Sequence, residues 1–240
     1  MRGPVGAILL AIGMLAAASA AAAPPGAPEL SRCPRLDSLE EPLNDRTRPL
    51  PVPAAFAMLV SSGREQFAVS TIYGGVVCVD TRPMTKVSAF TLSDDRRFLE
   101  FDWIGYEADG HVVVDRTGKG QVIDTGVSPL SSPSRRRFAA VQQSEAAFGS
   151  LEGFGVWQVG VVGLRELALQ QDIPSLADWR IDGWAGEDCI NLSGIPYDRI
   201  PSPNARLAKI KRDRYVAQPV GSRWLLTPSA QGCPAAKPRK

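Results

Sequence analysis

The sequence predicts an all-β protein made of antiparallel, propeller-like blades of three to four strands, in a compact, incomplete or four-to-five-bladed arrangement. Twenty prolines and 22 glycines divide the 240-residue chain into short segments. This pattern suits strands and turns better than long helices. From Gln66 onward, runs rich in β-branched and aromatic residues alternate with glycine-containing turns. These two observations together predict the fold class.

The first strand–turn–strand unit begins at Gln66. The run QFAVSTIY is followed by Gly74-Gly75 and then by VVCVD. Two adjacent glycines between β-rich runs predict a hairpin, because glycine adopts a positive φ without steric cost. A further strand, KVSAFTL, is expected after the turn TRPMT.

The second unit begins at Phe98 with the run FLEFDWIGYEA. Asp109-Gly110 follows this run, and Asp-Gly is one of the strongest short hairpin signals. The next strand is HVVVDR, and the turn from Thr117 to Gly120 leads into QVID. We therefore expect three consecutive strands in this unit.

Two further units complete the predicted β domain. The third contains RRFAAVQQ, a loop from Ser144 to Gly155, and two strands joined by the turn Gly160 to Gly163. Its last segment, 164–173, has apolar spacing that fits a strand as well as a helix. The fourth contains DWRIDGW, the turn AGED and CINLSG, followed by RYVAQPV and RWLLT.

The units recur at a nearly constant spacing. Phe98, Arg137 and Trp179 open successive units about 40 residues apart, which is the period of four-stranded propeller blades. Several strands, such as the one around Val112 to Val114, are almost wholly apolar. Continuous apolar strands predict burial on both faces, as in stacked blades.

One segment resembles a known family of repeats. SPSRRRFAAV at 132–141 is similar to the S-P-D-G-[KR]-x-[IL]-A-[FY] motif of secreted bacterial propellers of the TolB and WD40-like kind, with Ser134 and Arg135 in place of Asp-Gly. VWQV at 156–159, followed by Gly163, resembles the next strand pair of such a blade. The resemblance implies a β-sheet scaffold that binds partners, and it supplies no catalytic residues.

The N-terminus predicts export from a bacterial cell. Arg2 precedes an apolar run from about Val5 to Ala18, and Ala18-Ser19-Ala20 is a suitable cleavage site. We expect a periplasmic or extracellular protein without a transmembrane span after cleavage. The predicted organisation is a signal peptide at 1–20, an extended proline-rich lead-in at 21–60, a single β domain at 61–236 and a basic tail at 237–240.

Four cysteines allow two disulfides in an oxidising compartment, in one of three pairings. We favour Cys33–Cys78 with Cys189–Cys233, because each bond would tie one end of the chain to the neighbouring repeat. The competing arrangement, Cys33–Cys233 with Cys78–Cys189, would close the ends of a ring. No pair has the CxxC spacing of zinc or redox sites, and we expect no metal and no cofactor.

The net charge is only +2, but it is unevenly distributed. The C-terminal region is basic, especially RLAKIKRDR at 206–214, whereas 91–115 is acidic. One interpretation is that the two regions lie close together and partly neutralise each other. The other is a basic surface for an anionic envelope polymer or for lipid headgroups. The candidate binding residues in this segment are Arg206, Lys209, Lys211 and Arg212.

A second candidate binding site combines aromatic side chains with an arginine. Most of the five tryptophans are expected in the core, because aromatic residues dominate burial between sheets. Trp179 and Trp184, however, flank Arg180 close to a predicted turn. Exposed together, the three side chains would form a recognition patch for a protein partner.

Signals for catalysis are weak. His111 is the only histidine and follows the predicted hairpin, so we expect it near the surface; there is no G-x-S-x-G motif. Glu100 and Asp102 alternate onto one strand face, as two cooperating carboxylates of a hydrolase would. Asp178, Asp182, Glu187 and Asp188 surround a turn and suggest calcium, but match no EF-hand register.

The sequence therefore predicts an exported, non-enzymatic β-rich module that binds a protein or an anionic envelope polymer. A secreted hydrolase that uses Glu100 and Asp102 is one alternative. An anionic-polymer binder that acts through 206–214 is another. Nucleotide-binding motifs are absent from the sequence, and we do not expect nucleic acid as a partner.

Overall fold

The computed structural model describes residues 26–37, 46–144, 149–202 and 204–234. Within these ranges the chain forms fifteen β-strands and four short 3-10 helices, with no α-helix. The expected signal peptide at 1–20 and the basic tail at 237–240 lie outside the described residues. The prediction of an all-β protein is confirmed.

The strands form four antiparallel sheets, each a meander in which consecutive strands are paired. The first sheet contains β1 (Val60–Ser62), β2 (Gln66–Ser70) and β3 (Val76–Asp80). The second contains β4 (Met84–Leu92), β5 (Phe98–Gly105), β6 (Asp109–Asp115) and β7 (Gln121–Asp124). The third contains β8 (Leu130–Ser131), β9 (Arg137–Gln142), β10 (Gly153–Val159) and β11 (Leu164–Gln170). The fourth contains β12 (Ala177–Trp184), β13 (Ile190–Ile195), β14 (Asp213–Val220) and β15 (Arg223–Pro228).

Three apolar layers join the four sheets in chain order. Phe67 and Phe101 lie in the layer between the first and second sheets. Phe138 and Trp157 of the third sheet pack against Phe98 of the second. The second sheet thus has apolar side chains on both faces, because Phe98 and Phe101 point in opposite directions along β5. This stacking is consistent with an incomplete, propeller-like arrangement.

The third and fourth sheets share the last of these layers, which contains Phe154, Val156, Ile190 and Leu192. All four side chains are almost fully buried. Burial of each such side chain stabilises the fold by ~1.5–3 kcal/mol. The inner face of the fourth sheet therefore packs against the third sheet, and its outer face is available for other contacts.

Two turns show an internal repeat. In the turns at 93–97 and 132–136, the backbone N–H of Arg96 and Arg135 donates to the carbonyl of Ser93 and Ser132, at 2.7 and 2.8 Å. Both arginines have a positive φ, 59° and 56°. Each occupies the position where the resembling motif has glycine, which adopts such a φ at lower cost.

The turn at 132–136 is also a docking point between the third and fourth sheets. Ser132 Oγ and the Ser134 N–H donate to the Glu187 carboxylate at 2.8 and 2.9 Å. Arg137 Nη1 lies 2.5 Å from Asp188 Oδ1. Glu187 and Asp188, which the sequence suggests as calcium ligands, are therefore used to hold two sheets together.

Both disulfides have the pairing that the sequence favours. Cys33–Cys78 ties the N-terminal segment to β3, and Cys189–Cys233 ties the segment after β15 to the start of β13. The first and last sheets thus each hold one end of the described chain covalently. In the chain-entropy model, a bond that closes a loop of this length stabilises the fold by roughly 4 kcal/mol.

The structure differs from the sequence prediction at Asp109-Gly110. These two residues lie inside β6, and the chain instead turns at 106–108, where Glu107 has a φ of 49°. Gly110 is required by packing rather than by a turn, because a Cβ there would lie 2.2 Å from Ser150 Oγ and 2.5 Å from Trp103 Nε1. A glycine selected for close contact gives the same sequence signal as a turn glycine.

The expected repeat positions are also not all equivalent. Phe98 and Arg137 open the second strands of their sheets, but Trp179 lies in β12, the first strand of the fourth sheet. The ambiguous segment 164–173 contains strand β11 and no helix. A spacing of about 40 residues therefore indicates how many sheets the chain forms, but it does not show which strand of each sheet the repeated residue occupies.

Candidate functional site

The only histidine lies between the two candidate catalytic carboxylates. Asp102 and His111 are direct cross-strand partners on β5 and β6, and Glu100 is two residues from Asp102 on the same face. His111 Nδ1 is 2.6 Å from Asp102 Oδ1, and Nε2 is 3.3 Å from Glu100 Oε2. His111 is only 4 % exposed. The expectation of a surface histidine is wrong, because β6 begins before it.

This cluster favours a protonated imidazole. Burial by itself lowers the pKa of His111, but hydrogen bonds to Glu100 and Asp102 and their negative charges outweigh it, so the pKa lies above its ordinary value. Both ring nitrogens face carboxylates and neither points to a third group. The hydrolase alternative stays a prediction, and neither carboxylate lines the groove described below.

The expected patch of Trp179, Arg180 and Trp184 does not form as an exposed unit. Trp179 is 7 % exposed and packs against Tyr215 with ring centroids 4.9 Å apart. Its Nε1 donates to Gln143 Oε1 at 3.2 Å. Trp179 therefore belongs to the core between the third and fourth sheets, as expected for most tryptophans.

Trp184 is half-buried and also supports packing. Its Nε1 donates to the Leu130 carbonyl at 3.0 Å, and its ring meets the edge of Trp224 at 6.0 Å. Of the predicted patch, Arg180 alone is exposed on the outer face of β12. The alternation of a strand places Arg180 opposite to Trp179.

The outer face of the fourth sheet carries a row of polar side chains that includes Arg180. Arg180 on β12 pairs with Ser193 on β13, and Ser193 pairs with Arg214 on β14. Cross-strand partners project from the same face of a sheet. Two arginines are thus aligned across three strands, with a serine between them.

This row forms the floor of a groove of about 870 Å³. The segment 230–233, held by the Cys189–Cys233 bond, forms one side of it. The Cys233 N–H donates to Asn191 Oδ1 at 2.7 Å and fixes this side to the sheet. The charged residues that line the groove are Arg180, Lys211, Arg212, Arg214, Asp182 and Asp213.

Arg212 has a structural role in the groove. Its guanidinium contacts the carboxylate and the carbonyl of Asp178, and its Nε donates to Ser193 Oγ at 2.9 Å. Asp182 Oδ1 accepts from the same Ser193 hydroxyl at 3.0 Å and pairs with Arg180 Nε at 3.0 Å. The side chains on the floor are therefore connected and ordered by mutual contacts.

The groove keeps an excess of positive charge. Asp213 is paired with Arg199 at 2.6 Å, outside the groove lining. Lys211 and Arg214 form no ion pair with any of the described residues. These two cations are exposed, and they are the groups available to an anionic ligand.

The remaining predicted basic residues lie elsewhere. Arg206 and Lys209 are exposed near the 3-10 helix Leu207–Lys209 and do not line the groove. The structure thus divides the basic segment 206–214 into two parts. Lys211, Arg212 and Arg214 line the groove, whereas Arg206 and Lys209 are exposed outside it.

Mutual neutralisation of the acidic and basic regions is not seen. In the acidic stretch, Asp115 pairs with Arg97 at 2.6 Å, and Asp94 lies 3.8 Å from Arg135. Asp178, which lies outside 91–115, instead pairs with Arg212. Within the described residues, no ion pair links 91–115 to 206–214. The sequence alone does not indicate which distant residues form these ion pairs.

Arg214 and Ser193 are the site residues that sequence reasoning missed. The signal for Arg214 was present, because it ends the basic run 206–214 and lies two residues after Arg212. Ser193 gave no signal by itself. Its role becomes visible only when the register of β12, β13 and β14 is known.

No cluster of three or more His, Cys, Asp or Glu within the described ranges is arranged to hold a metal ion. In the same part of the chain, no helix has the length and apolar character needed to cross a membrane. The two disulfides are compatible with an extracytoplasmic location.

No protein-family model, curated protein or solved structure gives a significant match to this chain. A functional assignment therefore depends on the geometry of the site itself.

Proposed function

We propose that this chain is an exported binding module that holds an extended polyanion in the groove on the outer face of its fourth sheet. Stacked four-stranded meanders supply a rigid frame, in keeping with the suggested likeness to TolB and WD40-like propellers. The disulfides suit an oxidising compartment outside the cytoplasm. In this proposal the module is not an enzyme.

One observation carries the proposal: two exposed cations, Lys211 and Arg214, line a groove whose remaining charged side chains are already paired. Unpaired cations in a concave surface attract anions more strongly than cations on a convex one, because the groove focuses the field. Arg214 also presents a planar guanidinium, which binds carboxylate or phosphate oxygens in bidentate fashion.

The order of the groove supports binding without large rearrangement. Arg180 and Arg212 are held by Asp182, Asp178 and Ser193. A ligand that meets a preformed surface loses less free energy to the ordering of side chains. An extended ligand fits best, because the row of polar side chains runs across three strands.

Direct binding of heparin, used as a polyanion probe, tests this proposal. The Lys211→Gln/Arg214→Gln variant removes both available cations and should bind ~5–30-fold more weakly, at ~0.5–1 kcal/mol for each exposed contact. Affinity of the parent protein should also fall as NaCl rises from ~50 to ~300 mM, because salt screens exposed charges.

The chain offers a matched control. Arg206→Gln/Lys209→Gln removes the same net charge from the same segment, but outside the groove. The control should keep most of the affinity for heparin. Equal losses in the two variants would indicate nonspecific attraction to a basic surface, and they would contradict the groove.

A further inference from the structure

The ends of three neighbouring sheets carry unusually exposed apolar residues. The turns at 71–75, 116–120 and 160–163 join β2 to β3, β6 to β7 and β10 to β11. Ile72 and Tyr73 lie at the tip of the first turn, and Val161 and Val162 at the tip of the third. Their exposed fractions are 44 %, 76 %, 93 % and 65 %.

The three turns lie side by side. The Ile72 N–H donates to the Arg116 carbonyl at 2.8 Å. On the other side, the Gly163 N–H donates to Thr117 Oγ1 at 3.0 Å. A Cβ on Gly118 would lie only 2.4 Å from Val162 Cγ1. The middle turn therefore bridges the two apolar tips, and we call this combined surface the turn platform.

Two arginines, of which Arg116 is buried and Arg97 half-buried, fix the turn platform from behind. Arg97 donates to the carbonyls of Gly160 and Gly163 at 2.7 and 3.1 Å. Arg116 donates to the Ser70 carbonyl at 2.7 Å, next to the first turn. The exposed tips thus project from a rigid base, and the fold does not need them to be apolar.

The residue types at the tips are unusual for turns. Gly, Asn, Asp and Ser dominate tight turns, whereas valine is uncommon there. Val161 and Val162 are largely exposed, so replacing them with polar residues should cost the fold little. Large apolar tips on a secreted β-protein point to a surface that is covered in use.

The charge of the turn platform favours an anionic partner. Its three segments, TIYGG, RTGKG and GVVG, contain no acidic residue, and Lys119 is exposed between the two apolar tips. Arg32 adds a second exposed cation, because its Nη1 donates to the Gly74 carbonyl at 3.1 Å. Of the acidic groups nearby, Asp115 is fully buried and paired with Arg97, whereas Glu29 is exposed and lines the same pocket as Arg32.

We infer that the turn platform docks on an anionic lipid surface, with the valine and tyrosine tips inserted among the headgroups. Separate convex tips suit a fluid surface, whereas a protein partner would need a matching pit for each of them. Tyrosine and lysine are favoured at the membrane interface, because each combines an apolar body with a polar end. Aliphatic insertion together with cationic attraction is the usual combination for such binding.

Cosedimentation with vesicles tests this inference. The probe is phosphatidylcholine with about 30 % phosphatidylglycerol, compared with phosphatidylcholine alone. The parent protein should bind the anionic vesicles, and Val161→Ser/Val162→Ser should weaken binding by at least ~10-fold. Lys119→Gln should weaken binding to the anionic vesicles, with less effect on neutral ones.

Two controls make the outcome specific. Val127→Ser/Leu130→Ser replaces two aliphatic residues that are 40 % and 42 % exposed, beyond the opposite end of β7, and it should bind like the parent. Lys211→Gln/Arg214→Gln should lose heparin but retain vesicles, which separates this inference from the groove. Unchanged vesicle binding by the Val161/Val162 variant would overturn the inference. The inference would also be overturned if the parent protein bound neither kind of vesicle but bound a protein partner through these valines.

Discussion

Replacing Arg97 with methionine should destabilise the whole stack of sheets. Arg97 Nη2 and Nε lie 2.6 and 3.1 Å from the two oxygens of Asp115, whose carboxylate is fully buried. Methionine fills similar volume but carries no charge. Asp115 would retain two hydrogen bonds, from the N–H and the hydroxyl of Thr117 at 2.9 and 2.8 Å.

The expected loss follows from this geometry. Removing one member of a buried ion pair costs about 3–5 kcal/mol, because the remaining charge is left without compensation. The Arg97 contacts to Gly160 and Gly163, which link the second and third sheets, are lost as well. For a chain of this length the melting temperature should fall by ~6–20 °C.

Urea unfolding followed by circular dichroism measures this loss. Arg135→Ala is the control, because Arg135 lies 3.8 Å from Asp94 and both side chains are largely exposed, at 79 % and 94 %. It should unfold at the same urea concentration as the parent. A loss for Arg97→Met below about 1 kcal/mol, or no larger than for Arg135→Ala, would refute the assignment of a buried link.

Three further predictions concern other parts of the fold. Because the pKa of His111 is raised, its ion pairs stabilise the fold fully below about pH 6.5 and are lost as pH rises through the folded-state pKa. The free energy of unfolding should therefore fall between ~pH 5 and ~pH 9. In the His111→Gln variant this dependence on pH should be weaker. Cys189→Ser/Cys233→Ser should cost roughly 4 kcal/mol in urea unfolding and also weaken heparin binding, because segment 230–233 loses its anchor to the groove. Arg135→Gly should raise stability by up to ~1 kcal/mol, since φ is 56° there, and a loss would contradict the left-handed turn.

Much of the fold could be predicted from local sequence. Gly74 and the turn Gly160 to Gly163 end strands where expected, because these positions need the backbone freedom of glycine. Gly110 misled the prediction because its small size is used for packing against Ser150 and Trp103. A local sequence pattern does not distinguish a glycine needed for a turn from a glycine needed for close packing.

The candidate site was only partly predictable. Lys211 and Arg212 stand out as charges in the sequence, and both line the groove. Their difference in role depends on Asp178, which is 34 residues from Arg212 along the chain. Burial of Trp179 likewise depends on Tyr215 in β14. Pairing across distant strands is set by tertiary packing, which no local pattern contains.

Hydrogen exchange in the presence of heparin tests the central claim most directly. Slowed exchange should be concentrated at 211–215 and 230–233, because these segments line the groove. The turn platform should exchange at the same rate with and without heparin. Protection spread evenly over the basic surface, or protection absent from 211–215, would contradict a binding groove on the fourth sheet.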